Sequence, residues 1–213
     1  MDPRDPTSAE PASIMALLLR WLSRQLAPEA MGWLAAELER QRMAVEERRL
    51  ALSLGLAGRK VGRTDLTLDP DDELAAQRLR AGWQPRLWGT DEAARVALLI
   101  ATYRGDDQPF AARIDRLCTT AEVTEHVAYL KGFAVFPAGR QLHDRAREGV
   151  RSSIGPVFEA VACHNHSPEM LLRSDRNRRD RWCSAGDAQR KFSSRKFSSR
   201  RVTGYRPPPI QAR

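Results

Sequence analysis

Apolar residues recur three and four positions apart along most of this chain, in stretches punctuated by glycine, proline or aspartate. That spacing puts them on one face of an α-helix. Ile14, Leu17, Leu18, Trp21 and Leu22 form the first stripe, opened by Pro11 at a first-turn position. Pro28 and Glu29 open a second helix, with Trp33, Leu34 and Leu38 inward and Glu37, Glu39, Arg40 and Arg42 outward. Leu50, Leu52, Leu54 and Leu56 alternate as a strand would, yet Glu46 and Glu47 at the start and Gly58 as a stop favour a helix. Asp69, Pro70 and the acids Asp71, Asp72 and Glu73 open the next, which runs through Leu74 and Leu79 to Gly82. Trp83, Pro85, Leu87 and Trp88 make an aromatic loop. Thr90 then caps a helix carrying Val96, Leu98, Leu99 and Ile100, and Asp106, Asp107 and Pro109 start one with Phe110, Ile114 and Leu117.

Residues 119–165 carry two further helices. Thr119 and Glu122 have capping-box spacing, Val123, His126, Val127 and Leu130 share a face, and Gly132 is placed for a left-handed stop. After the apolar connection around Phe133, Phe136 and Pro137, Leu142, Ala146, Gly149 and Val150 share one side of a second helix. Val157, Phe158 and Val161 extend the apolar surface past Gly155 and Pro156. No strand series punctuated by turns occurs. The expected fold is all-α, a multi-helix bundle or a set of stacked helical hairpins, with no convincing internal repeat.

Charge divides the chain. Its net +8 comes from one end: residues 1–164 hold 22 Lys and Arg against 23 Asp and Glu, residues 165–213 hold 13 against 4. The first part is electrostatically ordinary, and the second, with the pentad RKFSS twice in tandem and few apolar residues, is too polar to offset its ordering entropy. The expected organisation is a loose N-terminus at 1–9, an all-α domain at 10–165 and a disordered, basic, low-complexity tail at 166–213. Nucleic-acid binding through that Arg-rich tail, with Phe192, Phe197 and Tyr205 to stack bases, is the rival functional reading. It is disfavoured because the domain has no basic face. No apolar run reaches the roughly 18 residues of a membrane span, and Asp2, Asp5 and Glu10 before the first apolar stretch fit a signal peptide poorly. The expected location is the cytoplasm. Cys118, Cys163 and Cys183 form neither a disulfide framework nor a zinc pattern.

Candidate chemistry is sparse. There is no glycine-rich phosphate loop, no G-x-S-x-G and no H-E-x-x-H. His126 reads as a core histidine before it reads as a ligand, and Trp83 and Trp88 as loop anchors before a stacking platform. Cys163, His164 and His166 lack a second ligand pair at zinc-finger spacing, so no metal and no cofactor are expected. Glu159 has no second carboxylate at a spacing suited to acid and base work. Arg140, His143, Arg147 and Arg151, at i, i+3, i+7 and i+11, fall on one strip of the helix. That strip is the candidate ligand or partner face, set against a solvated face with Asp144 and Glu148 as local partners.

The run EHVAYLKGFAVFPAGRQLHDRAREGVRSSIGPVFEAVACHN, most specifically its last eighteen residues, resembles the EboA-like family. Weaker likeness reaches back through LALSLGLAGRKVGRTDLTL, GWQPRLW and DEAARVALLIA, about residues 15 to 165 in all. The family comprises bacterial proteins encoded in clusters linked to secondary-metabolite traffic. The resemblance implies a non-enzymatic accessory protein that handles a metabolite precursor. It implies partners encoded in the same cluster, among them a membrane prenyltransferase-like protein. Family members continue with a Pro-Tyr-Pro-like turn and a Trp-Asn-Gln run, whereas this chain reads His166, Ser167, Pro168 and then departs. A reading frame lost near codon 165 is the expected cause. In that case helices that close the bundle would be missing, and Val157, Phe158 and Val161 would be left uncovered.

Overall fold

A computed structural model describes residues 11–162. Their helices are α1 (Pro11–Ser23), α2 (Pro28–Met43), α3 (Glu47–Lys60), α4 (Pro70–Leu79), α5 (Thr90–Ile100), α6 (Asp107–Thr120), α7 (Val123–Gly132), α8 (His143–Arg151) and α9 (Gly155–Ala162), with one 3-10 turn at Pro85–Leu87. Among the described residues the only β-type pairing is an isolated bridge in which Leu66 N–H donates to Trp88 O at 2.9 Å and Thr90 N–H to Thr64 O at 2.8 Å. The all-α expectation therefore holds. The expected ends at 1–9 and 166–213 lie outside the described residues.

Helix α5 is the axis of the fold. Seven of its eleven residues are alanine or branched aliphatics, and the polar ones find partners inside the protein, so Thr90, Asp91 and Ala93 through Ile100 are all buried. It packs against α1, α2, α3 and α7. Because α1 and α7 both reach α5 from far along the chain, this is a bundle around one helix and not a stack whose units touch only their neighbours. Beyond α7, the helices α8 and α9 pack on each other, and α9 packs on α7.

Two aromatic groups fill the core. Trp21, Trp83 and Trp88 are at most 1% exposed, with ring centroids 5.3 Å and 5.7 Å apart in succession. This fits the reading of Trp83 and Trp88 as loop anchors, buried with Trp83 against Trp21 of α1. Phe110 meets Tyr103 and Phe136 edge to face at 5.6 Å and 5.5 Å, joining α6 to the connection after α7.

Several sequence expectations shift by a few residues, each for a local reason. Helix α3 runs past Gly58 and stops at Gly62, whose φ of +84° is the left-handed conformation a stop requires. Gly89, not Thr90, caps α5: its N–H donates to Glu92 at 2.7 Å, while the Thr90 hydroxyl donates to Gly62 O at 3.2 Å. Thr119 belongs to the last turn of α6 and donates back to Asp115 O. Glu122 caps α7 in its place, its N–H donating to Glu125 at 3.4 Å. This rotates α7: Val123 is exposed, His126 and Val127 are half-buried, and Ala128, Tyr129 and Leu130 face the core. Gly132 is not a left-handed stop. A Cβ there would lie 2.5 Å from the buried Phe136 ring, so its glycine permits close approach. Val157, Phe158 and Val161 are buried, not left uncovered.

The largest correction concerns charge. Glu37, expected outward, is 1% exposed and accepts from Arg49 Nε at 3.2 Å, Ser53 Oγ at 2.9 Å and Arg40, tying α2 to α3. Burial by itself would raise its carboxyl, but the Arg49 and Ser53 hydrogen bonds outweigh that and hold it below the usual carboxylate range. Asp72 plays the same part between α4 and α1. It closes a capping box with Asp69 and accepts from Arg20 at 2.7 Å and from Arg24. Burial again pushes its carboxyl up, and the Arg24 hydrogen bond, with help from its neighbours, brings it down further than burial raises it.

Two outcomes are expected. Gly132→Ala should lower the free energy of unfolding in urea by about 1 kcal/mol, since displacing the Phe136 ring outweighs the helix propensity gained; a more stable variant would contradict the packing. Asp72→Asn should cost about 1–2 kcal/mol near neutrality, discounted because both arginines reach water. Because the folded pKa is depressed, that difference should be present above the unfolded value near 3.8 and shrink as pH falls through the folded one, as acid-titrated urea melts would show.

Candidate functional site

The residues of α8 and α9 explain why these helices sit where they do. Ala146, Gly149 and Val150 give α8 one buried side, and Val157, Phe158, Ala160 and Val161 give α9 another. A Cβ at Gly149 would lie 2.7 Å from Val161 Cγ2 and 3.5 Å from Leu130, so the missing side chain lets α8 settle into the α7–α9 seam. The chain between them, around Ser152 and Ile154, stays at the surface, with Ile154 N–H held by Ser152 Oγ at 3.1 Å.

On the outside of this junction lies an open cleft of about 300 Å³, lined by His126 of α7, Arg145, Glu148, Gly149 and Arg151 of α8, Ser152 and Ile154 of the connection, and Val157 of α9. Gly149, Ile154 and Val157 make it apolar; arginines stand at its edge. Arg145 is engaged: Nε donates to Asp115 at 2.8 Å and Nη1 to Glu148 at 2.8 Å, which straps α8 to α6. Arg151 is exposed and makes no ion pair among the described residues. His126 is half-buried, and its Nε2 is shut off from solvent with no hydrogen-bond partner. Burial first, and then the Arg145 guanidinium, hold the imidazole below its ordinary value, so it is neutral near pH 7. Behind it Cys118 of α6 is 5% exposed, and burial pushes its thiol up to about 12, far from nucleophilic.

A second cleft, of about 330 Å³, lies across the α7–α9 seam and is lined by Asp65, Arg86, Leu87, Val127, Lys131, Pro156 and Glu159. Its central cation is committed to structure: Lys131 Nζ donates to both Glu92 oxygens, at 2.7 Å and 2.8 Å, and to Leu87 O at 2.8 Å. Among the described residues no group of three His, Cys, Asp or Glu is placed to hold a metal ion, and Cys163, His164 and His166 lie outside them.

The strip Arg140, His143, Arg147 and Arg151 is not one helical face. Residues 137–142 form turns, α8 begins at His143, and Arg140 stands outside it. Arg147 lies 3.7 Å from Asp144, and of the four only Arg151 borders the first cleft. Sequence reasoning passed over Arg145 and gave Glu148 only as a local partner of the strip; both stand on α8. Their i, i+3 spacing was visible, but the tie to Asp115, thirty residues earlier, exists only in the folded chain. It also passed over Ile154, an exposed apolar residue in a serine-flanked link.

With the fold and this junction described, comparison with known proteins adds one positive finding. The sequence model of the family described as metabolite traffic protein EboA matches residues 14–176. Most of the chain is covered, so the chain belongs to the EboA family. The match runs past residue 165, where the likeness read from the sequence stops. No curated protein and no solved structure matches.

Protonating His126 is expected to destabilise the fold. Its folded pKa is depressed, so the unfolded chain binds the proton more readily. The contribution is complete above the unfolded value near 6.5 and is lost as pH falls from there to the folded value. Thermal midpoints should therefore decline between about pH 7 and 5, and His126→Gln should flatten that decline while leaving the steeper acid limb of Asp72 and Glu37. An unchanged slope in the variant would contradict this reading of His126.

Proposed function

We propose that this EboA-family chain is a non-enzymatic accessory protein that binds a small secondary-metabolite precursor and assists its movement. The observation that carries the reading is the family match over residues 14–176, whose description is metabolite traffic. The cleft at the α7–α8–α9 junction supports it. Its volume sits at the lower end of the range that small-molecule sites occupy, and apolar walls with a few polar groups are what such sites offer. The groups beside it suit holding better than bond-breaking. Cys118 is buried as a thiol, Glu148 is spent on Arg145, and His126 has no carboxylate hydrogen-bonded to orient it. The partners proposed are proteins encoded in the same cluster, including a membrane prenyltransferase-like protein, with the chain acting on the cytoplasmic side.

The test is made in cells. Deleting the gene should change where a cluster-dependent small molecule accumulates, by untargeted mass spectrometry of cell and medium fractions, without abolishing its synthesis. Full-length wild-type chain should restore the distribution. The double variant Arg147→Ala/Arg151→Ala, although folded, should restore it incompletely. A deletion strain with every metabolite in its usual place would overturn the traffic reading, and one in which the product is never made would point to catalysis.

A further inference from the structure

Resting on the reading that the α7–α8–α9 cleft holds a small molecule, we infer that its ligand is an amphipathic anion: an apolar body against Ile154, Val157 and Gly149, and a carboxylate, sulfonate or phosphate at Arg151. Three features of the cleft lead there. The first is its floor. Ile154 keeps 46% of its surface in water although it sits in a link only three residues from α8, and Val157 of α9, itself buried, also lines the cleft. A large aliphatic side chain displayed at the mouth of a cavity offers area that an apolar ligand can cover, at roughly 25 cal/mol per Å².

The second is the separation of the two arginines by role. Both residues line the cleft, but Arg145 has its donors directed at Asp115 and Glu148, so its charge is compensated and its position fixed. Arg151, at the end of α8, is neither paired with a carboxylate among the described residues nor buried. A guanidinium with free donors beside an apolar surface binds an anionic oxygen group with two parallel hydrogen bonds more strongly than it binds water-solvated neutral groups.

The third is what the cleft lacks among its lining residues. Glu148 is the only carboxylate among them, against Arg145 and Arg151, so the lining carries an excess of positive charge and favours an anion over a cation. His126 is neutral near pH 7 and adds no repulsion to either sign. The second cleft does not share this pattern, since Asp65 and Glu159 line it along with its cations.

The test uses the full chain and two commercially available probes that share a naphthylamine body. 8-Anilinonaphthalene-1-sulfonate carries the anion, and N-phenyl-1-naphthylamine does not. The sulfonate should bind the wild-type chain saturably, one per chain, and more tightly than the neutral probe. Arg151→Gln should weaken the sulfonate about fivefold to tenfold while leaving the neutral probe unchanged. Ile154→Ser should weaken both, and Arg59→Gln, which removes an exposed cation at the far end of α3, should weaken neither. Thermal midpoints close to wild type would verify that each variant is folded. The inference is overturned if Arg151→Gln leaves sulfonate affinity unchanged, if it moves both probes together, or if Arg59→Gln does as much. Cells separate this result from the broader reading. A deletion phenotype fully restored by Arg151→Gln removes the anion assignment and leaves metabolite traffic standing. The expected probe pattern without any deletion phenotype removes traffic and leaves the anion site.

Discussion

A helix buried on every side can carry polar groups only if each finds its partner inside the protein, and α5 sets that condition for the whole chain. Of its residues, Asp91 and Arg95 are the hard cases. The guanidinium is 1% exposed, and it is made tolerable by the Asp91 carboxylate one turn earlier and by Leu54 O of α3 at 3.0 Å. Glu92 meets the same condition through Lys131 of α7, whose remaining donor goes to Leu87 O. Removing one member of such a pair typically costs about 3–5 kcal/mol because the other charge stays buried. Helices α3 and α7 are therefore held to α5 by electrostatic matching as well as by apolar area. Of the two, α7 contributes residues to both clefts, His126 to one and Val127 and Lys131 to the other.

What the sequence made legible was whatever depends on neighbours along the chain. Helical spacing located the stripes of α1 and α2, and Asp69 with Pro70 located the start of α4, because caps and stripes are decided within a turn or two. It failed where a side chain answers to something distant. Glu37 was assigned to solvent by its helical phase and its charge, and it is buried because Arg49 and Ser53 arrive from the next helix. The displacement of the α7 cap from Thr119 to Glu122 has a similar cause. Phe110, Ile114 and Cys118 keep α6 helical through Thr120, so the threonine is used up before α7 begins.

The candidate site was half legible for the same reason. Arg151 was picked out with Arg140, His143 and Arg147 on the assumption that one helix carries all four. The turns at residues 137–142 break that phase, and the cleft uses the other side of α8 for Arg145 and Glu148. Nothing local distinguishes Arg145 from Arg147: each has an acid three residues away. The difference is that Arg145 faces Asp115 of α6, whereas Arg147 has only Asp144, 93% exposed at its side chain, at 3.7 Å. A strap and a solvated surface pair look alike until the neighbouring helix is in place.

The cleft is carried in large part by α8, whose nine residues are below the length at which isolated helices persist in water, so packing keeps it formed. That packing brings Gly149 close against Val161 and Leu130, with Ala146 buried one turn earlier. The strap from Arg145 to Asp115 adds direction but little energy, because the Asp115 side chain is 56% exposed and salt weakens such pairs. The tryptophan and phenylalanine groups and the buried pairs of α5 anchor the bundle, and α9, packed on both α7 and α8, joins the wall carrying Arg151 to it. A ligand that covers Ile154 and engages Arg151 would bridge the α8–α9 connection and the end of α8, adding its binding free energy to the stability of that connection.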